Sequence, residues 1–397
     1  MTARDTRPAV LSARTPSLDL DALLADRSVK VIVCCGSGGV GKTTSAAALA
    51  LRAAEQGRHA VVLTIDPARR LAQSLGLTEL DNDPREVTGI DGTAGGSLAA
   101  MMLDMKRTFD EFVLANADPE RAKTILANPF YLSLSSSFAG TQEYMAMEKL
   151  GQLRAAADQR GDTDLIVVDT PPSRSALDFL DAPRRLGSFL DGRLIRLLAA
   201  PARAGGKAYL RVIHVGFGVF THALTKIMGG QLLQDIQTFV GSIDTLFGGF
   251  RERADETYAM LQRPDTAFVV VAAPERDALR EASYFVERLR EESMPLAGLV
   301  LNRVQVTGLP ELSAAAALDA AARLERLGRE HRTGAGVLRV HAERAAALER
   351  QRTLTARFTA AHPSVPVATV PLLPGDVHDL ATLRQIGAAL GGAPNGS

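Results

Sequence analysis

Short apolar runs recur along this chain, separated by longer stretches whose apolar residues fall at helical spacing. The runs cover residues 29–34, 59–65, 97–103, 164–168, 267–272, 296–301 and 365–370. They are near-continuously apolar and often β-branched, which suits strands covered on both faces. Their alternation with helical stretches predicts βαβ units, and so an α/β fold built on a doubly wound, mostly parallel sheet. Ligands on such sheets sit at the carboxyl ends of the strands. The residues that follow each run are therefore the first place to look for chemistry.

The longest interval between runs extends from residue 171 to 265. It reads as helical, with Leu186, Phe189, Leu190, Leu194, Leu197 and Leu198 before the Gly205-Gly206 break, and Val215, Phe217, Val219, Phe220, Leu224, Ile227 and Met228 after it. A second helical stretch, 310–361, is rich in Ala, Leu, Arg and Glu, and Gly334 and Gly336 predict a loop within it. The expected organisation is a disordered lead-in over 1–28, one domain over 29–390, and a disordered tail over 391–397. Helical subdomain insertions are expected at about 106–160, 184–262 and 310–361.

Composition narrows the function. The chain of 397 residues is 46% hydrophobic and carries 45 basic and 45 acidic side chains. A neutral balance argues against a nucleic-acid partner, which calls for a basic excess. No stretch is apolar for long enough to anchor the chain in a bilayer. Residues 208–228 come nearest and are interrupted by Arg211, His214, His222 and Lys226. The only cysteines, Cys34 and Cys35, are adjacent. Neighbours on a strand face opposite ways, so the pair cannot grip a metal from one side, and it reads as two small buried hydrophobes in a cytoplasmic setting. His214 and His222 could share a helix face, but two histidines do not make a metal site.

The first run leads into Gly36-Ser37-Gly38-Gly39-Val40-Gly41-Lys42-Thr43-Thr44, a full G-x-x-x-x-G-K-[ST] match. Glycines let backbone N–H groups turn inward and cradle phosphate oxygens. Lys42 would reach the β- and γ-phosphates, and the Thr43 hydroxyl would ligate magnesium. An Ala-rich helix is predicted over 44–55, ended by Gly57, with its N-terminus facing the phosphates. Two further runs end in acids, at Asp66 and at Asp169. Either acid alone could simply cap a turn. Beside a phosphate loop, each could hold magnesium through water or orient the attacking water. The run ending at Leu301 continues Asn302-Arg303-Val304 without the later Asp of N-K-x-D, so ATP is favoured over GTP.

Gly38-Gly39-Val40-Gly41-Lys42-Thr43-Thr44, Asp66-Pro67-Ala68 and Asp169-Thr170 resemble the deviant-Walker ATPases. Within these the chain is most similar to the arsenite-pump and tail-anchored-protein-targeting ATPase family, with weaker matches at Gly140-Thr141-Gln142-Glu143, Asn302-Arg303 and Val370-Pro371-Leu372-Leu373. The resemblance implies that Asp66 sits in a first switch and positions the hydrolytic water, and that Asp169 sits in a second and senses the γ-phosphate. It implies that Asn302 hydrogen-bonds adenine, with Arg303, Pro371 and Leu372 around the base. It also implies a dimer whose helical subdomain changes shape with nucleotide.

The departures from that pattern carry their own expectations. The family has a lysine directly after the first glycine of the loop, reaching across the dimer to the partner's ATP; here that position is Ser37. A related subunit that retains the lysine could pair with this chain, Arg69 or Arg70 could substitute, or hydrolysis could be slow. The first is the favoured expectation. Cys34 and Cys35 match neither the metalloid thiols nor the zinc-binding C-x-x-C of the family, so no zinc or metalloid site is expected. Residues 186–250 could form a groove for a hydrophobic client or pack as ordinary core, and Met145 and Met147 read as core. The rival readings are a partition or positioning ATPase, a nucleotide-gated scaffold, and a small-molecule kinase or amidoligase. The weakly basic C-terminus disfavours the first, since it would make a poor membrane helix.

Overall fold

The computed structural model of the protein describes residues 10–11, 15–65, 70–129, 131–132, 141–171 and 252–391, with side chains left out at 70 and 141–144. Among the described residues, eight strands form one sheet: β1 Val31–Cys35, β2 His59–Thr64, β3 Arg85–Glu86, β4 Ser97–Met102, β5 Leu165–Asp169, β6 Thr266–Ala272, β7 Leu296–Val304 and β8 Val367–Pro371. Their spatial order is β3-β4-β2-β5-β1-β6-β7-β8. Every pairing is parallel except that of β3 with β4. Strands β1, β5 and β6 are buried along their whole length, as a sheet covered on both faces requires. The seven apolar runs correspond to seven of these strands. The eighth, β3, has no counterpart among the runs, because its two charged residues carry no hydrophobic period; they blunt the sheet edge.

Helix α2, Lys42–Glu55, follows β1 and packs on the sheet through a face rich in alanine, with Ala46, Ala47, Ala50, Ala53 and Ala54 fully buried. Small side chains let its backbone approach the strands closely. Gly57, at φ +88°, terminates it as expected. Because β1 lies between β5 and β6, the chain moves to opposite sides of β1 in its two halves. The loop after β1 therefore opens at the point where such a sheet offers a crevice.

The expected disordered lead-in over 1–28 is corrected for residues 15–28. Helix α1, Leu20–Ala25, is capped by Asp19, which accepts from the Ala22 N–H at 2.9 Å. Leu20 and Leu24, one turn apart, are fully buried. Asp21 takes two hydrogen bonds from Arg52, at 2.5 and 2.6 Å, and that guanidinium holds its carboxyl below the usual range. Ser17 pairs with Val367 beside β8. Six residues with three leucines, set between Asp19 and Asp26, are too short a stretch to establish a helical period, which explains why this helix is hard to read from sequence.

Arg58 secures the same corner. It is 1% exposed. Its Nε donates to Asp164 Oδ1 at 2.9 Å, Nη1 to the Leu24 and Asp26 carbonyls, and Nη2 to the Val29 and Asp164 carbonyls. Replacing Arg58 by leucine strands these acceptors and is expected to cost about 3 kcal/mol. The melting temperature, followed by circular dichroism, should fall by about 5 °C or more. An unchanged melting curve would show that the guanidinium does not hold this corner.

The chain divides into two compact units, one of Met1–Met102, Ala157–Ala176 and Leu261–Ser397, and one of Leu103–Ala156 and Leu177–Met260. The 310–361 stretch, expected as a subdomain insertion, belongs to the first unit with the sheet. Its helices Ala314–Leu327 and Arg332–Ala361 form a hairpin. Gly334 and Gly336 lie inside the second of these helices and not in a loop. The break falls at Gly328, whose φ of +140° a glycine adopts freely. In the second unit, helix Met105–Asn116 buries Phe109, Phe112 and Val113, and Met145, Met147 and Leu150 are buried on helix Thr141–Arg160. Arg253 stacks over the Phe112 ring and pairs with Glu148. The apolar stretch at 186–250, His214, His222 and the 208–228 segment lie outside the described residues. Among the described residues, no helix is long and apolar enough to cross a membrane.

Candidate nucleotide site

The loop after β1 is shaped by where side chains cannot go. A Cβ at Gly36 (φ +148°) would stand 2.1 Å from the Val271 carbonyl oxygen on β6. Gly41 (φ +95°) caps α2 in the left-handed region, and a Cβ there would stand 2.1 Å from Asn302 Nδ2. Gly38 and Gly39 are exposed at the rim, while Val40 is buried beneath. Lys42 opens α2, and its Nζ donates to the Ser37 carbonyl at 2.8 Å. The ammonium therefore lies over the loop it belongs to. Thr43 and Thr44 follow on the first turn, both half-buried.

Asp169 closes the other side. It is the last residue of β5, aligned with Cys34 on β1 and Thr64 on β2, and it is fully buried. Its Oδ2 accepts from Thr43 Oγ1 at 2.6 Å and from Thr64 Oγ1 at 2.9 Å. The next residue, Thr170, donates from its hydroxyl to the Cys34 carbonyl at 2.9 Å, tying the tip of β5 to β1. Thr43 and Asp169 thus present hard oxygen atoms to one point beside the phosphate loop, the donor chemistry magnesium prefers.

Thr64 and Thr170 gain roles here that their sequence positions alone do not assign, although Thr170 stands in the Asp169-Thr170 motif. The available signal was their position, one at the end of its run and the other directly after the acid. Asp66 and Arg69 lie outside the described residues, as does the side chain of Arg70. Ile65, which precedes Asp66, donates its N–H to the Asp169 carbonyl at 3.0 Å.

Strand β7 brings up the remaining residues. Asn302 is 7% exposed. Its Nδ2 donates to the Val40 carbonyl at 2.8 Å, and its Oδ1 accepts from the Arg303 N–H at 2.9 Å. Arg303 is exposed and sits at φ +61°. Pro371 ends β8 opposite Val304, and Leu372 donates its N–H to the Val304 carbonyl at 2.8 Å. Leu372 is 41% exposed and offers an apolar surface at the same sheet end. Of Gly140-Thr141-Gln142-Glu143, the first residue and the other three side chains lie outside the described residues.

The two cysteines are free and buried. Burial pushes the Cys34 thiol well up, with the Asp169 carboxylate adding to the effect, and pushes Cys35 to about 12. Both are neutral thiols inside the sheet. Among the described residues, no group of three or more His, Cys, Asp or Glu side chains is arranged to hold a metal ion.

The chain is similar to known proteins over most of its length. Residues 29–316 match the family model described as anion-transporting ATPase. ATPase get3 of Schizosaccharomyces pombe is 27% identical over 287 residues, spanning 72% of this chain and 76% of that protein. ATPase GET3 of Lachancea thermotolerans is 25% identical over 295 residues, spanning 72% and 75%. ATPase ARSA1 of Chlamydomonas reinhardtii is 26% identical over 325 residues, spanning 75% of this chain and 38% of the algal protein. With a phosphate loop, a partnered strand-end carboxylate and a family match over most of its length, the chain belongs to the anion-transporting ATPase family.

Proposed function

We propose that this chain is one subunit of a heteromeric ATPase dimer, in which magnesium and ATP bound at the phosphate loop drive a change of conformation. The backbone N–H groups of Gly38, Gly39, Val40, Gly41, Lys42, Thr43 and Thr44 surround the phosphates, and Lys42 takes the β- and γ-phosphates. Thr43, Asp169 and Asp66 would hold the magnesium ion, Thr43 through its hydroxyl and the two carboxylates through water. Held there, magnesium would supply positive charge to the phosphate oxygens. Asp66 orients the attacking water. Asn302, Arg303, Pro371 and Leu372 surround the base. The 2.6 Å contact between Thr43 and Asp169 is the observation that carries the magnesium site. Zinc and metalloid have no part in this proposal, because both cysteines are buried, neutral and on opposite faces of one strand.

The pairing rests on Ser37. It is 8% exposed, and its carbonyl already accepts from Lys42. It supplies no cation to a second nucleotide, whereas a donor in trans contributes a large share of the rate in phosphoryl transfer. A related subunit that keeps the lysine supplies that charge. The test is steady-state ATP hydrolysis and solution mass, measured for the pure chain and again after adding a family member that carries the lysine. Low turnover alone that rises in a mixed complex supports the pairing. A stable homodimer with ordinary turnover refutes it. The isolated Ser37→Lys variant should turn over roughly tenfold faster or more if the missing charge limits the rate; no gain would place the limit elsewhere and favour a nucleotide-gated scaffold.

A further inference from the structure

We propose that Asn302 positions the phosphate loop itself, in addition to any contact with the base. This inference rests on the reading of residues 36–44 as the phosphate site. Such a loop works by aiming successive N–H groups inward, which turns some of its carbonyls outward. The Val40 carbonyl belongs to a buried residue, and a buried carbonyl without a donor is costly. Asn302 Nδ2 supplies that donor at 2.8 Å.

The orientation of the amide follows from its partners. Val40 presents an acceptor and Arg303 a donor, so nitrogen faces the loop and oxygen faces Arg303. The amide lies flush against the loop, since a single methyl group at Gly41 would meet it at 2.1 Å. The end of β7 is shaped to the same purpose. Its pairing with β8 shifts register between Leu301 and Val304, and Arg303 adopts φ +61°, uncommon for a side chain of its size. That turn places the Arg303 N–H on Asn302 Oδ1 and fixes the side chain from behind. Asn302 thus ties the base side of the site to the phosphate side, and a ligand at one end acts on a shared element.

The test separates this role from a contact with adenine. The full-length protein and its Asn302→Leu and Asn302→Ala variants are titrated calorimetrically with the magnesium complexes of ATP, ITP and inorganic tripolyphosphate. Amide hydrogen exchange over residues 36–44 is followed without nucleotide. The affinity for tripolyphosphate, which has no base, should fall roughly three- to tenfold in both variants. Exchange at residues 40–42 should quicken while exchange in β1 and β6 stays unchanged. A loss confined to ATP, with loop exchange as in the parent, would overturn the proposal and leave Asn302 a base ligand only. Loop exchange decides the matter even if tripolyphosphate binds too weakly to titrate. Failure of the parent protein to bind either ATP or ITP would instead remove the phosphate-site reading on which the proposal stands.

Discussion

Lys42→Ala should lower the affinity for magnesium-ATP by roughly 100-fold or more, with little change in fold. The side chain is buried at the mouth of the loop and bends back over it to the Ser37 carbonyl. Its ammonium thus stays with the loop, and on the proposed reading a phosphate chain bound there would meet both the ammonium and the loop N–H groups. Hydrogen bonds from an ammonium to anionic oxygen are among the stronger ones in proteins, at about 1.5–3 kcal/mol each. One or two such bonds account for the expected factor. The helix that Lys42 opens is held by its alanine face and not by this side chain. The melting temperature should therefore stay within a few degrees of the parent. Titration calorimetry with magnesium-ATP checks the first expectation and thermal unfolding the second. Unchanged affinity would take Lys42 out of the site.

Much of this arrangement was legible in the sequence because it is local. A phosphate loop is a contiguous motif, and its strand and helix flank it directly. Seven of the eight strands could be read from apolar runs, since a strand buried on both faces hides its whole length. What escaped depends on which strands lie side by side, and the sequence does not display strand order. Thr64 matters because β2 neighbours β5, which brings its hydroxyl to Asp169. Thr170 matters because β5 neighbours β1. The bond from Asn302 to Val40 joins residues far apart in the chain. Arg58 reads as an ordinary charged residue after a helix-ending glycine, until the carbonyls around it are seen. The misplaced break at Gly334 and Gly336 has a similar origin. A long helix tolerates glycine at a modest cost, whereas Gly328, alone of the three, takes a positive φ and ends the first helix of the hairpin.

Asp169→Asn should cut ATP turnover by roughly 100- to 1000-fold, in the range found when one preorganised electrostatic group is removed from an active site. Asp169 Oδ2 is the acceptor for two hydroxyls, those of Thr43 and Thr64. An amide can keep both bonds only by turning its oxygen to that position, and it carries no charge in either orientation. The shape of the strand end therefore survives while the attraction for a divalent ion does not. The substitution also relieves the cost of holding a carboxylate in a fully buried position, so stability should not fall. This combination separates Asp169 from a purely structural residue. ATP affinity with the metal chelated should match the parent, whereas affinity in magnesium should drop together with turnover. Thr64→Val should show a smaller version of the same pattern, because it removes one donor and leaves the charge. Parent-like turnover in Asp169→Asn would show that the carboxylate serves only to join the tips of β2 and β5 to the first turn of α2.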